Sequence, residues 1–323
     1  MGANSKHRLN QKDLVTNIFG FFSEEYEQSS YGSIWDIKIP VENMIRYLKD
    51  KCDVSYKSEL WVWTQLKRYE EELGVKLFRK VRTGEDNKGF SLALNYPYIN
   101  FFQKKHLYVN EKIKVANGIH DKILDYTRNQ RKKGPVRIFL GAGTLCYHFS
   151  TIIAEPSETN RQKYLIHTNN LGALTQLIAP GLNNHNIEVI VPEGRVDPVT
   201  YTITGEEDCF SSVDFDFIIQ GTSWVHNGEL FIESADENIR KKAILQKSSG
   251  QKILALTKKE FSSEPVKNSE SYGKILDYDF VVVPKQSGLL SGTKKYEELF
   301  EAAKLDLTPE ILNWNYEIYK VNK

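Results

Sequence analysis

Apolar and polar positions alternate with helical spacing from the start of the chain. Residues 12–28 place Leu14, Ile18, Phe19, Phe21 and Phe22 on one face, ahead of the polar stretch Ser23 to Ser30. Residues 41–51 repeat the pattern with Met44, Ile45 and Leu48. A third helix is predicted from Ser58, a capping residue type, to Leu73. Its apolar positions Val62, Leu66, Tyr69 and Leu73 fall at intervals of four, three and four, and Gly74 ends it. Residues 75–81 and 90–94 read as short strands around the turn-forming stretch Thr83 to Gly89. Helix, turn, helix and hairpin is the order of a winged helix.

A further helix is predicted over 108–129, where Val109, Ile113, Ala116, Ile119, Ile123 and Tyr126 recur in steps of three and four. Such a seam can pair with its copy in a second subunit or pack on its own domain. The charged run Arg128 to Pro135 ends in Gly-Pro and marks a domain boundary. Beyond it the pattern changes to short apolar runs at 136–140, 164–167, 187–191, 215–219, 252–256 and 280–283. They alternate with helical stretches such as 171–178, which predicts a mostly parallel sheet covered by helices. Ligand is then expected at the carboxyl ends of the strands.

Composition narrows the classes. Hydrophobic residues make up 40% and charged residues 26% of 323, enough for packed cores and twice the length of one ordinary domain. No apolar run is long enough to span a membrane, and the first residues lack the apolar core of a leader, so a cytoplasmic protein without membrane association is expected. Cys52, Cys146 and Cys209 are too scattered for a disulfide framework. The histidines show no metal-ligand spacing, so no metal and no cofactor is expected. Residues 1–133 hold 24 Lys and Arg against 17 Asp and Glu, a net of +7 that leaves −6 for the rest. The basic half is the part suited to a polyanion.

Ser58 to Arg79 resembles the recognition helix and following strand of LysR-type winged helix-turn-helix domains, through Gln65-Leu66, Tyr69-Glu70, Leu73-Gly74 and Leu77-Phe78. The resemblance implies binding to duplex DNA. With the apolar face turned inward, Thr64, Lys67 and Arg68 point toward a major groove, and Lys80, Arg82 and Lys88 near the wing meet phosphates. Trp61 and Trp63 depart from the family pattern. They fill a cleft against the Phe-rich first helix, or stack on unpaired bases or a partner.

Gly141-Ala142-Gly143-Thr144, Thr168-Asn169-Asn170, Glu193-Gly194-Arg195 with Gly205, Gly221, and the pair Glu237 and Lys241 follow in order through the second half. This set resembles the effector-sensing domain of DeoR-type repressors, and the fold it implies is the one shared with sugar-phosphate isomerases and CoA transferases. The ligand-binding residues implied are Gly141 to Thr144, Thr168 to Asn170, Arg195, Gly221, Thr222, Ser223, Glu237 and Lys241. Backbone N–H groups of a Gly-rich turn entering a helix can cradle a phosphate, and Thr144 adds a hydroxyl. Asn169 or Asn170 can bond a sugar or base, or simply close an Asx turn. Lys241 reaches the phosphate, or makes a surface pair with Glu237 four residues away. Ser223-Trp224 and Thr257 to Phe261 depart from the family pattern. With Trp224 or His226 available to stack on a nucleobase, sugar phosphate and nucleotide are both candidate ligands.

The expected architecture is an α/β C-terminal domain with a mostly parallel sheet behind an N-terminal winged helix-turn-helix domain. Its parts are 1–100 for DNA, 101–133 as a linker helix with possible dimerisation, and 134–323 for a phosphorylated small-molecule effector. The expected function is a ligand-responsive transcriptional regulator and homo-oligomer. The alternatives are an enzyme acting on a sugar phosphate or nucleotide, or a ligand-sensing interaction module without DNA binding. Glu193, Asp197, Glu233 and Asp236 are available as acids or bases, but none lies in a motif that specifies catalysis, so no catalytic residue is assigned.

Overall fold

The computed structural model describes residues 8–28, 34, 37–73, 76–82, 89–95, 100–130, 134–155, 162–179, 186–205, 210, 213–232, 234–257, 260–261, 270–285 and 295–323. Lys88, Gly74, Cys209, Glu233 and most of the turn expected at 83–89 lie outside them. The chain forms two compact units, Met1–Tyr108 and Val109–Lys323.

The first unit runs α1 (Gln11–Gln28), β1 (Ile39–Pro40), α2 (Val41–Cys52), α3 (Glu59–Leu73), β2 (Phe78–Arg82), β3 (Phe90–Leu94) and the short α4 (Phe101–Lys104). β3 lies between β1 and β2, antiparallel to both. The expected apolar faces meet in one core: Leu14, Ile18, Phe19 and Phe22 of α1, Met44 and Leu48 of α2, and Val62 and Leu66 of α3 are fully buried with Phe78 and Leu92. Ser58 accepts from Trp61 N–H through its hydroxyl at 3.4 Å and so starts α3.

The second unit begins with α5 (Val109–Gln130), followed by β4 (Val136–Leu140), α6 (Thr144–Ala154), β5 (Tyr164–Thr168), α7 (Leu171–Leu177), β6 (Ile187–Ile190), β7 (Arg195–Asp197), β8 (Thr202–Thr204) and β9 (Phe217–Gly221). Then come β10 (Trp224–His226), β11 (Glu229–Phe231), α8 (Ala235–Lys247), β12 (Gln251–Ala255), β13 (Ser271–Lys274), β14 (Phe280–Pro284), α9 (Tyr296–Ala302), β15 (Leu307–Leu312) and β16 (Tyr316–Val321). The main sheet has the order β15-β16-β14-β12-β9-β4-β5-β6. It is parallel from β14 to β6, and β16 and β15 add an antiparallel edge. This is an α/β fold with a mainly parallel sheet. Its central strands bury apolar side chains on both faces, as at Ile138 and Phe139, Ile218 and Ile219, and Val281 and Val282, because each face is covered.

The boundary falls at Tyr108, inside the expected 101–133 linker and before the Arg128 to Pro135 break. α5 is part of the second unit: Val115, Ala116, Ile119 and Ile123 are fully buried against α6, β14 and β16. Tyr316 donates its hydroxyl to Asp121 at 2.6 Å, and Lys122 pairs with Glu310 at 2.8 Å. The seam read as a possible dimer contact is thus spent on the unit's own core, while Ile113 stays exposed.

Candidate functional site

The strand order brings the expected segments together. β4 and β9 are neighbours, as are β4 and β5, so the loops after all three open on the same carboxyl rim. Gly141 and Ala142 are buried, Gly143 is exposed at φ +107°, and Thr144 begins α6. A Cβ on Gly143 would meet none of the described residues within 4 Å, so the turn is open on that side, and only glycine takes this backbone without strain.

Thr168, Asn169 and Asn170 are fully buried, and two of the three serve the fold. Thr168 donates its hydroxyl to the Leu140 carbonyl at 2.6 Å. Asn170 caps α7 by accepting from Ala173 N–H, and its amide donates to the Gly143 carbonyl at 2.9 Å and the Gly141 carbonyl at 3.2 Å. The Asx turn therefore ties the glycine turn to α7. Asn169 points elsewhere, donating to Glu237 Oε2 at 2.7 Å, while its own Oδ1 is buried without a hydrogen-bond partner among the described residues. The Glu237 carboxyl is held in addition by the Ala142 backbone. A desolvated acceptor such as Asn169 Oδ1 is costly unless something donates to it.

Glu237 and Lys241 lie one turn apart on α8, and both are fully buried, so they are not the surface pair that their spacing allows. Burial pushes the Glu237 carboxyl up, opposed by Lys241 and by the Asn169 hydrogen bond. Burial pulls the Lys241 ammonium down, opposed by Glu237. Lys241 donates to the Gly221 carbonyl at 2.9 Å. Thr222 gives its hydroxyl to the Phe231 and Trp224 carbonyls, and Ser223 N–H donates to Phe231. Burial also raises the Cys146 thiol to about 11, which leaves it unreactive beside this cluster.

A cleft of about 460 Å³ opens next to α8, lined by Glu193, Gly194, Arg195, Thr204, Gly205, Asp236 and Ile239. It contains Arg195 of the expected residues. The two glycines permit the close β7–β8 pairing: a Cβ on Gly194 would stand 2.0 Å from the Thr204 carbonyl, and one on Gly205 2.4 Å from that of Glu193. Asp197 caps the turn after β7 by accepting from Val199 N–H at 2.8 Å. Trp224 and His226 sit half-buried on β10, in a small antiparallel sheet with β11 and β13. Thr257 N–H and hydroxyl both donate to Glu260 Oε2, at 2.6 and 2.7 Å. Among the described residues no His, Cys, Asp and Glu group is arranged to hold a metal ion.

In the first unit Thr64, Arg68, Lys80 and Arg82 are exposed. Lys67 is engaged: its ammonium lies 2.6 Å from buried Glu70 and 4.6 Å from the Trp63 ring centroid. Glu70 also accepts from Leu77 and Phe78 N–H. Trp61 stacks on Tyr56 at 4.6 Å and Trp63 meets Phe90 edge-on at 6.0 Å. Both indoles pack on this unit's core, the cluster that also holds Phe19, Phe21 and Phe22 of α1.

Fold and site define an α/β protein with a mainly parallel sheet, a glycine turn open at its carboxyl rim, and a buried polar cluster behind that turn. No family model matches the chain. A comparison with curated proteins finds no match either. Among solved structures, the chain is similar to ribose 5-phosphate isomerase A from Methanocaldococcus jannaschii, with 12% identity over 65% of this chain and 78% of that one, and a TM-score of 0.31. It is also similar to eIF2B beta from Chaetomium thermophilum, with 10% identity over 89% and 90% and a TM-score of 0.38. A third likeness is to the translation initiation factor eIF-2B of Pyrococcus horikoshii OT3, with 8% identity over 98% and 86% and a TM-score of 0.32. Likenesses this low carry no argument about activity. Among the described residues no helix is long and apolar enough to cross a membrane.

Proposed function

We propose that the protein is a ligand-responsive regulator that binds duplex DNA through a winged helix in its first unit and a phosphorylated small molecule in its second. One observation carries the ligand half of this reading: the open Gly143 turn enters α6 on the carboxyl rim of the sheet, where Asn169 follows β5 with its Oδ1 buried and without a hydrogen-bond partner among the described residues. The turn supplies N–H groups and the Thr144 hydroxyl to an anion. Asn169 Oδ1 supplies an acceptor for a hydroxyl or amine group elsewhere in the same molecule, which describes a sugar phosphate or a nucleotide. The DNA half is supported by the order of α2, α3 and the β2–β3 hairpin, with Arg68, Lys80 and Arg82 exposed.

Calorimetry of the full chain with sugar phosphates and nucleotides in turn, followed by duplex binding with and without the ligand found, tests both halves. Regulation requires the ligand to bind one state more tightly than the other, so duplex affinity must change on its addition. Unchanged duplex affinity at saturating ligand overturns the regulator. A second reading, an enzyme acting on the same class of ligand, is favoured by the raised Glu237 carboxyl beside the lowered Lys241 ammonium. Turnover of a sugar phosphate without duplex binding would establish it instead.

A further inference from the structure

Gly221 ends β9 under an unusual degree of restraint. Its carbonyl accepts from Lys241 Nζ at 2.9 Å and from the Tyr272 hydroxyl at 3.1 Å. The two donors come from different elements, α8 and β13, and both side chains are fully enclosed. Together they use both lone pairs of that oxygen. The residue before it is held in a similar way, since the Tyr278 hydroxyl donates to Gln220 Oε1 at 2.7 Å.

The end of β9 in turn supports the glycine turn. Gly141 donates its N–H to the Ile219 carbonyl at 2.9 Å. A Cβ on Gly141 would stand 3.2 Å from that carbonyl and 3.3 Å from Gln220 Cγ, so the two backbones leave no slack between them. One turn before Lys241 on α8 is Glu237, whose carboxyl accepts from Asn169 at 2.7 Å and from the Ala142 backbone, so α8 is tied to the glycine turn directly as well.

We propose that Lys241 and Tyr272 are positioning residues: neither touches the ligand, and both fix the Gly221 carbonyl so that the end of β9 holds the Gly141–Thr144 turn in its anion-binding geometry. The proposal rests on the reading of that turn as an anion site. It reassigns Lys241, which the sequence offered as a direct phosphate contact, and it brings in Tyr272, which no sequence signal marked. Because the two donors act through one oxygen, their removal should be non-additive.

The probe is inorganic phosphate, titrated into the full chain while the amide resonances of Gly143 and Thr144 are followed. In the unaltered protein both resonances shift. Tyr272→Phe removes one hydroxyl and leaves every charge, and it should weaken phosphate binding roughly three- to ten-fold, the worth of one net hydrogen bond. Without phosphate, the Gly141 amide of that variant should exchange its hydrogen faster. Lys241→Gln added to Tyr272→Phe should cost less than Lys241→Gln alone. If Tyr272→Phe does not fold, Tyr278→Phe is read the same way through Gln220, with a smaller effect. Unchanged phosphate affinity and unchanged Gly141 exchange in the variant overturn the positioning role and leave the anion site standing. Absence of any shift at Gly143 in the unaltered protein removes the anion site and this inference with it.

Discussion

Glu70 is the residue on which the first unit's hairpin hangs. Its carboxylate accepts from Leu77 and Phe78 N–H at 2.7 and 2.8 Å and pairs with Lys67, so the end of α3 is stitched to the start of β2. Glu70→Ala leaves two N–H groups unsatisfied and should destabilise the unit by about 2–4 kcal/mol, read from urea unfolding. A loss below about 0.5 kcal/mol would mean that water replaces the carboxylate. In the second unit, His167 is buried with both ring nitrogens unpartnered, edge-on to Phe210 and Phe215. Burial, then Arg137, lowers its pKa, and Glu188 raises it. The folded state therefore favours the neutral ring. Stability from this group is complete above the unfolded value of about 6.5 and falls as pH drops below it. His167→Phe should flatten the acid side of the stability profile below about pH 6.5, and an identical slope in both proteins would refute this.

At the scale of elements, α5 illustrates how one periodicity can serve two packings. Ile123→Asp, which would separate copies if the seam joined two subunits, should here unfold the second unit, because Ile123 faces its core. Light scattering and thermal melting distinguish the outcomes: a folded, lighter species would restore the dimer seam. Gly118 is a point of close approach on this helix. A Cβ there would lie 2.8 Å from the Tyr316 ring and 2.9 Å from Val282 Cγ1. Gly118→Ala should cost roughly 1–3 kcal/mol by overpacking, despite the better helix propensity of alanine. A gain in melting temperature would show that β16 can retreat.

Over the whole molecule, the position of the boundary changes the charge argument. With the division at Tyr108, the first unit carries 17 Lys and Arg against 14 Asp and Glu, a net of +3, and the second 26 against 28, a net of −2. The polarity seen in the sequence belongs largely to α5 and the basic run after it. Duplex binding must then rest on the local arrangement of exposed cations and not on a bulk field. Replacing Arg68 and Arg82 together by alanine should weaken binding across sequences and reduce the slope of log affinity against log salt by about 2. Lys67→Ala should act mainly through stability, because its ammonium is already held by Glu70. An unchanged salt slope in the double variant would assign the first unit to a purpose other than DNA.

The sequence by itself determined where most elements lie. Helices α1, α2, α3 and α5 and the parallel strands were legible because apolar period and capping or turn residues are local signals. It also marked the glycine turn and the Thr168–Asn170 turn, since positive φ and Asx geometry restrict residue type at single positions. Only the tertiary structure decided what each polar side chain bonds to. Asn170 and Thr168 turn inward, Lys241 takes the Gly221 carbonyl, Lys67 takes Glu70, and Tyr272 and Tyr278 arrive from more than 50 residues away. The small sheet of β10, β11 and β13 and the β15–β16 edge were likewise invisible to a periodicity reading, because β10 and β11 are three residues each and β15 holds Pro309 and mostly exposed positions without a clean alternation. A donor's spacing in sequence fixes its face on one element, whereas its partner is fixed by which other elements pack against that face.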